Sequence, residues 1–125
     1  MKQEWLLRKD TFEDICHAAR SKWPDEFMAM LGSKGKNNVI DEVVVLPLHS
    51  DDWSAEIQLD MLPPGLWLLG TVHSHPDENA HPSEEDLRTF ARLGRVHLIV
   101  AHPFDARHAN FFDARGKKAA WRLME

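Results

Sequence analysis

Four residues with the chemistry of a metal hydrolase fall inside one short stretch, "GTVHSHPDENAHPSEEDL" (Gly70–Leu87): His73, His75, Ser83 and Asp86. His73 and His75 close an apolar run that reads as a strand. Side chains at i and i+2 leave one face of a strand, with Cα atoms roughly 6.6 Å apart. Two imidazoles so placed can converge on one zinc at about 2.0–2.1 Å. Asp86 occupies the first turn of a predicted helix and can turn its carboxylate back toward the strand end. Two histidines and an aspartate make three protein ligands and leave one of zinc's four positions open, the arrangement of a catalytic site, with one zinc per chain. Zinc lowers the pKa of a bound water toward about 7, which makes hydroxide available at neutral pH. The set still needs a general base. Glu26, at the start of a predicted strand, is the candidate to take the water's proton and pass it to a leaving amine. Ser83 can donate its hydroxyl to a developing oxyanion, a role worth roughly 2.7–4 kcal/mol where such donors have been removed. Each residue also has an ordinary explanation. "SEED" at Ser83–Asp86 is close to a helix capping box, an isolated H-x-H is usually solvated, and a lone glutamate at a strand edge is usually a surface carboxylate.

These residues need elements to hold them. Thr11 to about Trp23 carries Phe12, Ile15, Cys16, Ala19 and Trp23 at helical spacing; Asp10 or Thr11 can cap it, and Pro24 stops it. "EFMAML" (Glu26–Leu31) and "VIDEVVVLPL" (Val39–Leu48) read as two strands joined by a polar turn. "HSDDWSAEIQLDMLPPG" reads as loop with one short extended segment. "LWLLGTVH" (Leu66–His73) suits a buried central strand. Ser83 to about Gly94 reads as a second helix with Leu87, Phe90, Ala91 and Leu93 inward. "VHLIVA" (Val96–Ala101), "HANFFD" (His108–Asp113) and "AAWRLM" (Ala119–Met124) are further strands. This order predicts an α/β or α+β fold, a mixed β-sheet flanked by helices.

Composition narrows the function classes. At 125 residues, 43% hydrophobic and 28% charged, the chain matches one ordinary globular domain spanning residues 1–125. A net charge of −5, with no run of more than two basic residues, argues against nucleic acid and anionic membranes as partners. No apolar stretch approaches the ~20 residues that span a bilayer. Cys16 is the single cysteine, which excludes an internal disulfide and a thiolate cage. The start, "MKQEWLLRKD", is too charged for a signal peptide, so a cytoplasmic location is expected.

Taken together, Glu26, His73-Ser74-His75-Pro76, Ser83 and Asp86 resemble the signature of the JAMM (MPN+) zinc metalloproteases: a glutamate, then H-[ST]-H-P, then S-x-x-D. "WPDEF" around Glu26 approximates that family's usual context, and the order of elements agrees along the whole chain. The resemblance is greatest to short, stand-alone archaeal members. It implies a cytidine-deaminase-like fold, zinc on His73, His75 and Asp86, Glu26 as base outside the first shell, and Ser83 as oxyanion donor. It further implies hydrolysis of amide or isopeptide bonds at the C-terminal tail of ubiquitin or ubiquitin-like modifier proteins. Insertions that grip ubiquitin in eukaryotic members have no counterpart here, so small archaeal modifiers fit better. Ile57–Leu62 is the segment expected to pair with a modifier's tail by strand addition.

Other assignments fit these residues less well. "HSHPDE" begins like the H-x-H-x-D-H pattern of metallo-β-lactamases, a different zinc amide hydrolase, but has Glu78 where a histidine is required. His81 as third ligand is a poorer choice than an aspartate at a rigid helix start. A non-catalytic binding module of the same fold would not need the full ligand set. Ordinary packing or exposure accounts for His49, His97, His102 and His108, with His49 the one placed to border the expected cleft. Among the tryptophans, Trp53 is the one expected to be exposed, and Cys16 is expected to be a buried inert thiol.

Overall fold

The computed structural model describes residues 4–35, 37–45 and 64–125. Strands β1 (Trp5–Arg8), β2 (Met28–Ser33), β3 (Val39–Ile40), β4 (Glu42–Val44), β5 (Trp67–His75), β6 (Val96–Ala101), β7 (Ala109–Asp113), β8 (Lys118–Ala119) and β9 (Trp121–Met124) are joined by helices α1 (Lys9–Lys22) and α2 (Glu84–Phe90). Six strands form one sheet in the order β4-β2-β5-β6-β7-β8, and three form another in the order β3-β1-β9. Among the described residues of the larger sheet, only β5 and β6 run parallel. That pair requires a crossover, and α2 supplies it. The fold is the expected α+β arrangement of mixed sheet and flanking helices.

Strands β5 and β6 approach so closely that a Cβ on Gly70 would collide with the backbone carbonyl of Val96. Only glycine fits there. Alternation along the central strands divides the core between two faces. Val72, Leu98 and Val100 join Phe12, Ile15, Cys16 and Ala19 of α1, together with Ala29 and Leu31 of β2. On the opposite face Ile99, Ala101 and Phe112 gather around Phe90 of α2. His73 pairs with Ile99 and His75 with Ala101, so both histidines share the α2 face. The first helix therefore backs the sheet, and the second covers the side where the chemistry would occur.

Several expectations are corrected. α1 begins at Lys9 with Arg8 as its N-cap, which makes no side-chain capping bond, so neither Asp10 nor Thr11 is the N-cap. Asp10 lies in the first turn and accepts the Thr11 N–H at 2.9 Å. Trp23 lies beyond the helix and is 48% exposed rather than part of its apolar stripe. β2 starts at Met28, which leaves Glu26 just ahead of the strand. α2 ends at Phe90; of its expected inward residues only Phe90 is buried, while Leu87 and Ala91 are exposed and half-buried Leu93 packs against the Met30 cluster. The strand expected from Val39 is split at Asp41, where the chain passes from the small sheet to the large one, and its remainder beyond Val45 lies outside the described residues. β1, hidden in the charged opening decapeptide, pairs in parallel with β3 and β9. The closing strand β9 accordingly belongs to a different sheet from β7 and β8.

Candidate metal centre

Antiparallel pairing sets Met28 of β2 beside His73 of β5. The alignment continues past the end of β2: the Ser74 N–H donates to the Phe27 carbonyl at 2.9 Å, and the Phe27 N–H donates to the Ser74 hydroxyl at 2.7 Å. Extending this register one residue brings Glu26 opposite His75. Ser74 is buried and points to the face opposite the histidines, so the middle residue of H-S-H fastens the segment that carries Glu26. The Phe27 side chain, buried in the main core, is a second anchor for it.

Asp86 arrives from α2. Ser83 is the N-cap: its hydroxyl accepts from the Asp86 N–H at 3.1 Å, and Asp86 Oδ2 accepts from the Ser83 N–H at 2.9 Å. The capping box is thus real, and it fixes the orientation of the Asp86 carboxylate. Both oxygens of that carboxylate meet the histidines. His73 Nε2 lies 3.2 Å from Oδ1, His75 Nε2 lies 3.1 Å from Oδ2, and the two Nε2 atoms are 3.1 Å apart. Glu26, His73 and His75 also present donor atoms within 4.8 Å of one another. The tight triangle is His73–His75–Asp86, with exposed Glu26 joining it from the β2 side.

A metal fits this donor set. Donors bound at about 2.1 Å in a tetrahedron stand about 3.4 Å apart, close to the separations among the three residues. His75 Nδ1 donates to the Asn79 carbonyl at 2.7 Å, which leaves Nε2 as the ligating nitrogen and holds the ring in place. Electrostatics agree. Burial lowers the basicity of His75, but its bonds to Asp86 and the Asn79 carbonyl outweigh this and raise its pKa above the ordinary value. Burial likewise opposes ionisation of Asp86, yet the His73 and His75 bonds hold its carboxyl well below the usual carboxylate range. A positive charge is favoured where the three side chains meet.

The other candidates lie elsewhere. His81 is exposed and bonded to the Asn79 side chain. His97 is fully buried: Thr71 Oγ1 lies 2.7 Å from Nδ1, Nε2 donates to the Gly94 carbonyl at 3.3 Å, and burial depresses its pKa to about 4. The ring stacks on Phe90 at 4.3 Å, and Phe90 in turn lies 6.2 Å from His73. His108 pairs with Asp105 at 2.7 Å. Cys16 is buried, which pushes its thiol up to about 11. His49, Trp53 and Ile57–Leu62 lie outside the described residues. The sequence foretold neither the supporting role of Ser74 nor that of Asn79, and it marked Phe90 only as an inward residue of the second helix. The signal for Ser74 was its odd position in the strand, facing away from the histidines it separates.

The family described as prokaryotic homologues of the JAB domain matches residues 8–121. A protein of Haloferax volcanii named "Probable metalloprotease" is 31% identical over 120 residues, covering 89% of this chain and 74% of its own length. Among solved structures, a JAB1/MPN domain protein from Archaeoglobus fulgidus superposes with a TM-score of 0.77 at 35% identity, with all of both chains covered. The structure described as "JAMM: A Metalloprotease-like Zinc Site in the Proteasome and Signalosome" gives 0.77 at 31% identity, over 98% of this chain and 100% of that one. A Desulfitobacterium hafniense protein, at 24% identity and a TM-score of 0.68, shares the fold over 96% of this chain and 92% of its own. A chain matched by the family from residue 8 to residue 121 belongs to the prokaryotic JAB-domain homologues, within the JAMM/MPN family.

Proposed function

We propose that this protein is a zinc-dependent peptidase or isopeptidase that hydrolyses the amide bond at the C-terminal tail of ubiquitin-like modifier proteins. One observation carries the reading. Two imidazole nitrogens and both oxygens of one carboxylate meet at 3.1–3.2 Å, with a second carboxylate, Glu26, beside the histidines from the segment ahead of β2. The names of the Haloferax relative and of the JAMM zinc-site structure support the same class of chemistry.

His73, His75 and Asp86 would hold one zinc per chain, which when bound supplies a Lewis acid for the carbonyl and acidifies a water. Glu26 takes the proton from the attacking water and delivers it to the departing amine. Its exposure leaves the carboxylate free for both transfers. The Ser83 hydroxyl accepts from the Asp86 N–H, so its own proton is available for a carbonyl oxygen that gains charge. Asn79 and Ser74 keep His75 and Glu26 in place.

The test is hydrolysis of modifier conjugates by zinc-loaded protein, with metal content measured in parallel. Glu26→Gln is expected to retain about one zinc per chain and lose turnover by at least a hundredfold, within the range for general-base catalysis. His75→Ala is expected to lose both. Full turnover by Glu26→Gln would remove the base, and failure to take up zinc after reconstitution would favour a binding module.

A further inference from the structure

Beside the metal centre stands an aromatic surface that this reaction scheme does not use. Trp23 is 48% exposed, yet it is held at three points. Its backbone N–H donates to the Ala19 carbonyl at 3.0 Å, its indole N–H donates to the Pro76 carbonyl at 3.1 Å, and its ring stacks on His102 at 5.0 Å with 29° between planes. His102 is itself fixed, because its N–H donates to the carbonyls of His75 and Asp77 and its ring meets buried Phe104 edge-on at 5.5 Å. A large apolar face is therefore presented rigidly to solvent, against the segment just after His75 and three residues before Glu26.

We propose that Trp23, backed by His102, is a shelf for the leaving side of the scissile bond, where it binds the long alkyl side chain that contributes the departing nitrogen. The proposal rests on the amide-hydrolase reading above. Two features choose this occupant. Trp23 shares its loop with Glu26, the group that returns a proton to the leaving amine, whereas Ser83 and Asp86 approach from α2. Exposed Asp25 and Glu26 follow Trp23, and exposed Asp77 and Glu78 follow Pro76. Against these four carboxylates stand Lys22 and Arg20, whose guanidinium is engaged by the Phe104 carbonyl, so a basic leaving segment such as a lysine-containing peptide is the complementary partner. A rigid aromatic ring binds an alkyl stem with little loss of conformational freedom, and its face attracts a neighbouring cation.

The experiment compares two substrates sharing one modifier tail, joined either to a lysine ε-amine within a basic peptide or to a glycine α-amine. Trp23→Ala is expected to lower kcat/KM on the ε-linked substrate about tenfold, mostly through KM, and so to erode the preference between them. Trp23→Phe, which keeps the aromatic face and loses the indole N–H, is expected to retain most of that preference. Zinc content equal to that of the parent shows that both variants are folded. If Trp23→Phe is as impaired as Trp23→Ala, or if both substrates lose equally, the indole is only a clamp on the His75–Asp77 segment and the shelf is overturned. A parent protein that cleaves neither substrate would sink the hydrolase reading instead. In that event the basic lysine peptide is titrated into Glu26→Gln protein while the Trp23 indole resonance is followed. A shift that saturates sustains the shelf, and its absence overturns it.

Discussion

Ser74 shows how much one hydroxyl can govern at the residue scale. It stands between two candidate ligands but faces away from them, and it accepts the Phe27 N–H at 2.7 Å within the buried junction of β2 and β5. Removing it leaves a buried donor without a partner, a cost of about 1–3 kcal/mol. Ser74→Ala should therefore lower stability by that amount and reduce kcat through a displaced Glu26, while zinc content stays at the parent level. Ser74→Thr should restore activity, since its hydroxyl can accept the same bond. Chemical denaturation alongside turnover checks both; an unchanged kcat in Ser74→Ala would show that Glu26 needs no such anchor. Asp86 illustrates the same economy, because one carboxylate oxygen serves both the helix cap and His75. The capping and ligating explanations of "SEED" describe one geometry.

At the scale of elements, α2 has only seven residues and keeps a single side chain fully buried. Phe90 is its anchor. The ring stacks on His97 at 4.3 Å, lies 6.1 Å from Phe112, and touches the cluster of Ala80, Ile99 and Ala101 beneath the metal centre. Truncating a buried phenylalanine costs about 3–5 kcal/mol. Phe90→Ala is expected to lose that much stability and also to weaken metal binding, because Asp86 lies one turn earlier on the same helix. Phe90→Leu should recover most of the metal affinity. A Phe90→Ala protein that binds zinc as tightly as the parent would mean that the Ser83 cap alone positions Asp86. Helical periodicity had extended α2 to Gly94, but the chain after Phe90 turns toward β6, and Gly94, at a φ of +119°, packs against Leu69 and Gly70.

At the scale of the whole molecule, two histidines on one sheet face respond to pH in opposite senses. His75 has a raised pKa in the folded protein, so its contribution is complete below about 6.5 and is lost as pH rises through the folded value. His97 is depressed to about 4. Between pH 6.5 and 4 the unfolded chain binds a proton there that the folded protein refuses, and stability falls by roughly 3 kcal/mol. His97→Gln, neutral throughout, should remove that loss: its unfolding free energy should gain on the parent's by a similar amount as the pH drops from 7 to 4. Parallel curves would show that His97 is not held neutral. No described helix is long and apolar enough to cross a membrane. The sequence by itself determined the ligand candidates, the candidate base and the type of fold, because those choices depend on residue type and short spacing. It also located the central strands, whose apolar runs are continuous. Only the tertiary structure decided that β1 and β9 form a second sheet, that Ser74 fastens Glu26, and that Trp23 leaves its helix to lie on His102. Each of these depends on pairing between residues far apart in the chain, where register and packing, rather than local periodicity, select the partner.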